Sequence, residues 1–183
     1  MNPTSAQERC TESDYRQLFS SSSDELYELC LVLTADEALA TASFAAARER
    51  TVKDATKVFR EWMWTWARRQ IVKACIATSR PEIESDLLAV GRPQNSVLNV
   101  ISKRGGYDQV VLDALVRFTF VLRKCEGYSA RETALLLDIS PMILESAYQR
   151  AVRALGPERL CLESSMMADC SRPRNWARAT TSV

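Results

Sequence analysis

The stretch "EGYSARETALLLDIS", residues 126–140, decides how the chain is to be read. Gly127 is placed to end a helix, because the residue just past a helix commonly takes a positive φ that costs glycine nothing. Ser129 with Glu132 three residues on is a capping box, which starts a new helix at once. Ser140 then supplies a second cap. Pro141 follows at the first helical position, where its missing N–H is no loss. The pattern predicts a short helix over 130–137 and a longer one from 141 to Leu155, stopped by Gly156-Pro157. In the longer helix Leu144, Ala147, Tyr148, Ala151 and Leu155 share one face. Met142, Ile143, Glu145, Ser146, Gln149, Arg150 and Arg153 flank or oppose it. Two helices across so short a turn fit a helix-turn-helix, whose second helix enters a DNA major groove. On periodicity alone they fit an ordinary helical hairpin inside a core equally well.

Working outward, a helix is expected from near Tyr107 to about Lys124. Residues 79–106 hold two of the six Pro and three of the five Gly, and read as a linker. Before them a long helix is expected over roughly 58–77, with Phe59, Trp62, Met63, Trp66, Ala67 and Ala74 on its apolar face. "RTVKDATKV" breaks the chain ahead of it. The Ala-rich stretch "ADEALATASFAAARE" reads as another helix, with Thr34 as its cap. Ser22 and Glu25 form a capping box for a helix carrying Leu26, Leu29, Cys30 and Leu33. Residues 1–20 read as disordered and 158–183 as a flexible tail. The expected fold is all-α: two small helical domains, 21–78 and 107–157, joined by the linker 79–106.

Composition narrows the function. The 183 residues include no histidine, which removes Ser–His and Cys–His nucleophile systems and most zinc sites. The six cysteines are irregularly spaced with no CxxC pair, so free thiols are expected rather than a disulfide framework or an all-Cys zinc site. No enzyme, metal or cofactor is expected. No run of 18 apolar residues occurs, so no membrane span is expected, and the polar start of the chain lacks an apolar signal core. A cytoplasmic protein is the expectation. The formal charge of +1 hides an asymmetry. Residues 1–47 carry two basic and eight acidic groups (2 − 8 = −6), whereas residues 48–73 carry eight basic and three acidic (8 − 3 = +5). A local basic segment of this kind suits nucleic acid.

The residues themselves separate the two readings of the hairpin. "VLRKCEGYSARETALLLDISPMILESAYQRAVRAL" resembles the promoter-binding region 4 of extracytoplasmic-function sigma factors of bacterial RNA polymerase. Glu126, Gly127, Tyr128, Ser129, Glu132, Ala134, Leu137, Ile139, Ser140, Arg150, Ala151 and Leu155 fall in the family's register without a gap. LuxR-type regulators share the same turn, but the closing Arg-Ala-x-x-x-Leu fits sigma region 4 better. More loosely, "FREWMWTWARRQIVKACI" is similar to the family's region 2 helix, through Phe59, Arg60, Trp62, Ala67 and Arg68. The resemblance implies a transcription initiation protein whose partners are core RNA polymerase and promoter DNA, with an anti-sigma factor as a regulatory partner. Arg150 and Arg153 would contact phosphates, while Met142, Ser146 and Gln149 face base edges.

Arg60, Trp64 and Arg68, four residues apart, make one helical stripe away from the apolar face. A Trp between two guanidiniums suits an unpaired base, and the resemblance implies the melted promoter strand as its ligand. The competing expectation is that Trp64 packs on a neighbouring helix beside solvated arginines. Two departures stand out. Where the family carries Asp, Gln and Glu on the surface that grips the polymerase, this chain has Ala38, Thr41 and Ala42; Leu39 and Phe44 remain as polymerase-facing residues. In the recognition helix Glu145 replaces a Lys and Ala147 an Arg. These changes favour a second possibility, a degenerate sigma-like interaction or regulatory module without promoter selectivity of its own.

Overall fold

The computed structural model describes residues 8–79, 96–101 and 107–155. The described chain is mostly helical. Helix α1 (Glu12–Ser21) opens on a Thr11 capping box: the Thr11 hydroxyl accepts the Asp14 N–H at 3.2 Å, and the Asp14 carboxylate accepts the Thr11 N–H at 2.8 Å. Helix α2 (Ser23–Thr34) ends at Ala35, and α3 (Glu37–Lys53) starts from Asp36, whose carboxylate accepts the Leu39 N–H. Two single 3₁₀ turns, Ala55–Lys57 and Arg60–Trp62, lead into α4 (Met63–Ser79). Helix α3 packs along α4, and the Ser43 and Thr78 hydroxyls meet at 2.5 Å, so the two run antiparallel. Strands β1 (Ser96–Ile101) and β2 (Tyr107–Leu112) pair antiparallel, Ser96 opposite Leu112 and Ile101 opposite Tyr107. Helix α5 (Ala114–Phe120) continues into one π-helical turn, Val121–Cys125; α6 (Ala130–Leu137) and α7 (Pro141–Leu155) close the described chain.

Several expectations need correcting. The N-terminus is not disordered over residues 8–20. Tyr15, Leu18 and Phe19 are core residues, and the Cys10 N–H donates to the Val58 carbonyl while the Arg60 N–H donates to the Glu8 carbonyl. A terminus orders when it is tied down by hydrogen bonds and burial of this kind. Ser22 makes no capping bond, and Glu25 turns to Arg68 instead of back to its own helix start. Thr34 does not cap α3; it ends α2, its hydroxyl donating to the Cys30 carbonyl. The mostly helical chain fits the expected all-α class; what changes is local, since β1 lies inside the expected linker and β2 takes residues 107–112 from the expected helix. "YDQVVL" and "SVLNVI" are rich in β-branched and aromatic residues. Asp113 is the true N-cap of α5, accepting the Val116 N–H at 2.8 Å. Residues 158–183, expected to be a flexible tail, the rest of the expected linker and residues 1–7 lie outside the described residues.

The stretch around Gly127 matches the expectation closely. Gly127 has φ +69°, and the Tyr128 N–H donates to the Leu122 carbonyl, closing the helix end. Ser129 and Glu132 form the full capping box, and Asp138 turns the chain through a left-handed conformation before α7. Ala35 also sits at positive φ (50°), without a side chain suited to it. A left-handed conformation costs a non-glycine residue about 1–2 kcal/mol. Glycine gives back about 0.4–1 kcal/mol through its freer unfolded chain. Ala35→Gly is therefore expected to stabilise the protein by about 0.5–1 kcal/mol, read as a rise in denaturant midpoint.

The two expected domains share a core. One buried cluster runs from Leu18, Leu26 and Leu33 through Ile71 and Cys75 to Phe118, Leu122, Leu137 and Leu144. A second, smaller cluster joins Leu112, Val116 and Phe120 to Ala147, Ala151 and Leu155, seating α7 on α5. The junction is fastened by Arg117, only 1% exposed. Its guanidinium donates to the carbonyls of Leu33 (2.8 Å) and Thr34 (3.0 Å) at the end of α2, where helix carbonyls have no partners of their own.

Candidate nucleic-acid interface

Helix α7 presents two faces. Leu144, Ala147, Ala151 and Leu155 are buried, and Met142, Ser146, Gln149, Arg150 and Arg153 are exposed, Met142 at 84%. The Ser140 hydroxyl accepts the Ile143 N–H at 3.3 Å. The exposed polar groups are partly engaged with one another. Gln149 donates to Glu145 at 2.8 Å, and Arg123 donates to Glu145 at 3.1 Å while lying 4.0 Å over the Tyr148 ring. The bond from Gln149 and the Arg123 charge hold the Glu145 carboxyl below the usual carboxylate range. Arg150 reaches Asp113 at 2.6 Å. Arg153 pairs with no carboxylate among the described residues. Glu145 is thus paired with Arg123, and Ala147 is buried in the cluster between α7 and α5.

The other candidate surface is the end of the helical bundle where α3 stops and α4 begins. Arg48, Arg50 and Lys53 on the last turns of α3 are exposed, as are Lys57 and Arg60 in the 3₁₀ turns. Trp62, in the second of these turns, is 57% exposed, its indole N–H donating to the Glu61 carboxylate at 2.8 Å.

Here the structure does not form the expected Arg60–Trp64–Arg68 stripe. Arg60 lies before α4 proper and pairs with Glu8 (3.0 Å) and Asp14 (2.8 Å). Trp64 is half-buried against the core, with the Arg68 guanidinium 5.5 Å from its ring. Trp62, expected on the apolar face, is outside instead. The cause is the 3₁₀ turn over Arg60–Trp62, which advances about 120° per residue rather than 100°. The α-periodicity counted from Phe59 therefore loses phase before Met63.

Arg68 is engaged in full. Its Nε donates to Glu126 at 3.0 Å, one terminal nitrogen bonds the other Glu126 oxygen, and the second reaches Glu25 at 3.2 Å. The pair is sheltered, the Arg68 side chain 17% and the Glu126 side chain 5% exposed. Sequence reading missed both Glu126 as this partner and Arg117. A lone arginine inside "ALVRFTFVL" was the available signal for Arg117, since a charge within an apolar run must find buried partners.

On the expected polymerase-facing surface, Leu39 is half-buried and Phe44 packs edge-on against Phe19 (5.5 Å) and Tyr27 (5.8 Å). Thr41 bonds Tyr27 through its hydroxyl at 3.0 Å, and Ala38 and Ala42 are exposed. Among the described residues no helix is long and apolar enough to cross a membrane. No family model, curated protein or solved structure matches the chain.

Proposed function

We propose that the chain is a sigma-factor-like transcription initiation protein that binds core RNA polymerase and promoter DNA. The observation that carries this reading is the α6–turn–α7 unit: α7 buries its apolar side on α5 and leaves Met142, Ser146, Gln149 and Arg153 open to a groove. The exposed cations at the α3–α4 end, with Trp62 exposed in the same segment, support it, because a basic surface that offers an aromatic face suits a single strand. No cofactor and no catalysis belong to this function.

The test is transcription in vitro with the full chain, cognate core polymerase and a genomic promoter library. Arg153→Ala is expected to weaken duplex binding on all sequences and to flatten the salt slope by about 0.9. Trp62→Ala is expected to cost about 1–3 kcal/mol of single-strand binding with little loss of stability. Trp64→Ala, by contrast, should lower the melting temperature. If Trp62→Ala leaves single-strand affinity unchanged, the basic end is a solvated face.

A second reading, a degenerate sigma-like regulatory module, is favoured by the replacement of three polar polymerase-facing residues with Ala38, Thr41 and Ala42, and by the carboxylates already paired with Arg60, Arg68 and Arg150. A competition titration for core polymerase against another sigma factor decides between them. Equal competition by the unaltered chain rejects the module. Tightening only after Ala38→Asp, Thr41→Gln and Ala42→Glu supports it.

A further inference from the structure

We infer that Gln149 reads an adenine in the duplex bound by α7, and that the Arg123–Glu145 ion pair is the device that aims it. The inference deepens the duplex-binding reading of α7 and rests on it. Gln149 lies on the open face of α7, about two turns on from Met142, so the two stand almost in line along the helix. One turn before Gln149, Glu145 accepts the Gln149 amide N–H on one carboxylate oxygen at 2.8 Å and the Arg123 guanidinium on the other at 3.1 Å. Arg123 is anchored outside α7. It belongs to the π-helical turn Val121–Cys125, its side chain is only 24% exposed, and its guanidinium lies 4.0 Å over the Tyr148 ring. A glutamine held in advance in this way loses less rotamer freedom on binding than one left free on a helix face.

The same bonds fix which atoms Gln149 has left. A carboxylate only accepts, so the amide nitrogen of Gln149 must be the atom that faces Glu145. One amide hydrogen is used there. The other amide hydrogen and the carbonyl oxygen have no partner among the described residues. What remains is one donor beside one acceptor. Adenine presents the complement in the major groove, where its N7 accepts and its N6–H donates. Guanine presents two acceptors, and cytosine and thymine one hydrogen-bonding group each, so none of them satisfies both atoms. The Gln149 bond and the Arg123 charge also keep the Glu145 carboxyl below the usual carboxylate range, so the acceptor persists at neutral pH. Glu145 is a positioning residue that need not touch DNA. Its charge lowers the overall affinity for phosphate and confers base selectivity.

The experiment presents the full chain with a randomised duplex DNA library at low salt and compares the sequences it enriches with those enriched by Gln149→Ala, Glu145→Lys and Glu145→Gln. The expected result is one position at which the unaltered chain prefers adenine by about tenfold and Gln149→Ala has no preference. Glu145→Lys should bind the library as a whole more tightly, because a cation replaces a carboxylate near phosphate. It should nevertheless lose the adenine preference. Glu145→Gln keeps a carbonyl acceptor for the Gln149 amide and should keep most of that preference. Tighter binding by Glu145→Lys with the preference intact overturns the positioning role, because Glu145 would then act through its charge alone. An adenine preference that survives Gln149→Ala, or a preference for another base that Gln149→Ala removes, overturns the base assignment and leaves the duplex reading standing. If no form binds duplex at low salt, Glu145→Lys included, the duplex reading fails and the proposal falls with it.

Discussion

Arg117→Met is expected to destabilise the protein by about 2–4 kcal/mol, although it replaces a buried charge with an apolar side chain of similar length. Two opposing effects set the figure. Burial lowers the Arg117 pKa to about 10. Against the ordinary guanidinium value, that lowering makes holding the charge inside cost about 3 kcal/mol. Methionine relieves this cost. It also strands the carbonyls of Leu33 and Thr34, each worth about 1–3 kcal/mol when buried without a donor, and lets go of the end of α2. The loss of donors and of the docking they organise outweighs the relief, because the cavity was shaped around a planar fork. Arg117→Lys should recover little, since an ammonium cannot serve both carbonyls in that geometry. The sign of the pH dependence follows from the lowered pKa. The unfolded chain binds the extra proton only between about 10 and the ordinary value, so this group adds stability as pH rises through that window and nothing changes below it. The difference between wild type and Arg117→Met should therefore be flat across the neutral range. Chemical denaturation at several pH values checks both points. An unchanged midpoint would mean that α5 does not rest on α2.

The local signals between Gly127 and Leu155 were legible because each is set by chemistry within a few residues. A glycine at positive φ, a reciprocal Ser–Glu cap and a Ser-Pro helix start act on their own backbone, and the structure has all three. The apolar side of α7 was legible for the same reason: a period of 3.6 is read directly along the chain. What failed depended on distant partners or on a change of period. Ser22 and Glu25 have the spacing of a cap, but Arg68, 43 residues away, takes the Glu. Thr34 looks like a cap and instead closes the helix behind it. Trp62 and Trp64 exchanged places because a 3₁₀ turn shifts the helical phase just before α4. Residues 107–112 became a strand because β1, on the far side of a stretch outside the described residues, offers a partner that no local window contains. The candidate site divides the same way. The α7 face follows from periodicity, whereas the capture of Arg68 by Glu126, 58 residues apart, is a tertiary fact.

The N-terminal helix gives the second large effect. Leu18→Ala is expected to cost about 2–5 kcal/mol, the range for truncating a fully buried leucine in a packed core. Leu18 is 0% exposed, between the buried side chains Tyr15 and Phe19 on the same helix. Phe19 meets Phe44 edge-on at 5.5 Å, so α1 covers the face of α3 that would otherwise lie open to water. Each such side chain contributes about 1.5–3 kcal/mol by leaving water. Removing all three by deleting α1 therefore approaches the whole stability of an ordinary domain, roughly 5–15 kcal/mol. A chain beginning at Ser23 should not fold. An acidic segment without structure would behave in the opposite way: Leu18→Ala would be silent, and the deletion would leave the melting temperature where it was. Thermal unfolding followed by circular dichroism separates the two. Glu12→Gln serves as the surface control on the same helix, since its ion pair with Arg16 is exposed and worth at most about 0.5 kcal/mol. A silent Leu18→Ala would return residues 8–21 to the disordered class and would leave Arg60 without the Glu8 and Asp14 anchors that now hold it at the edge of the basic end.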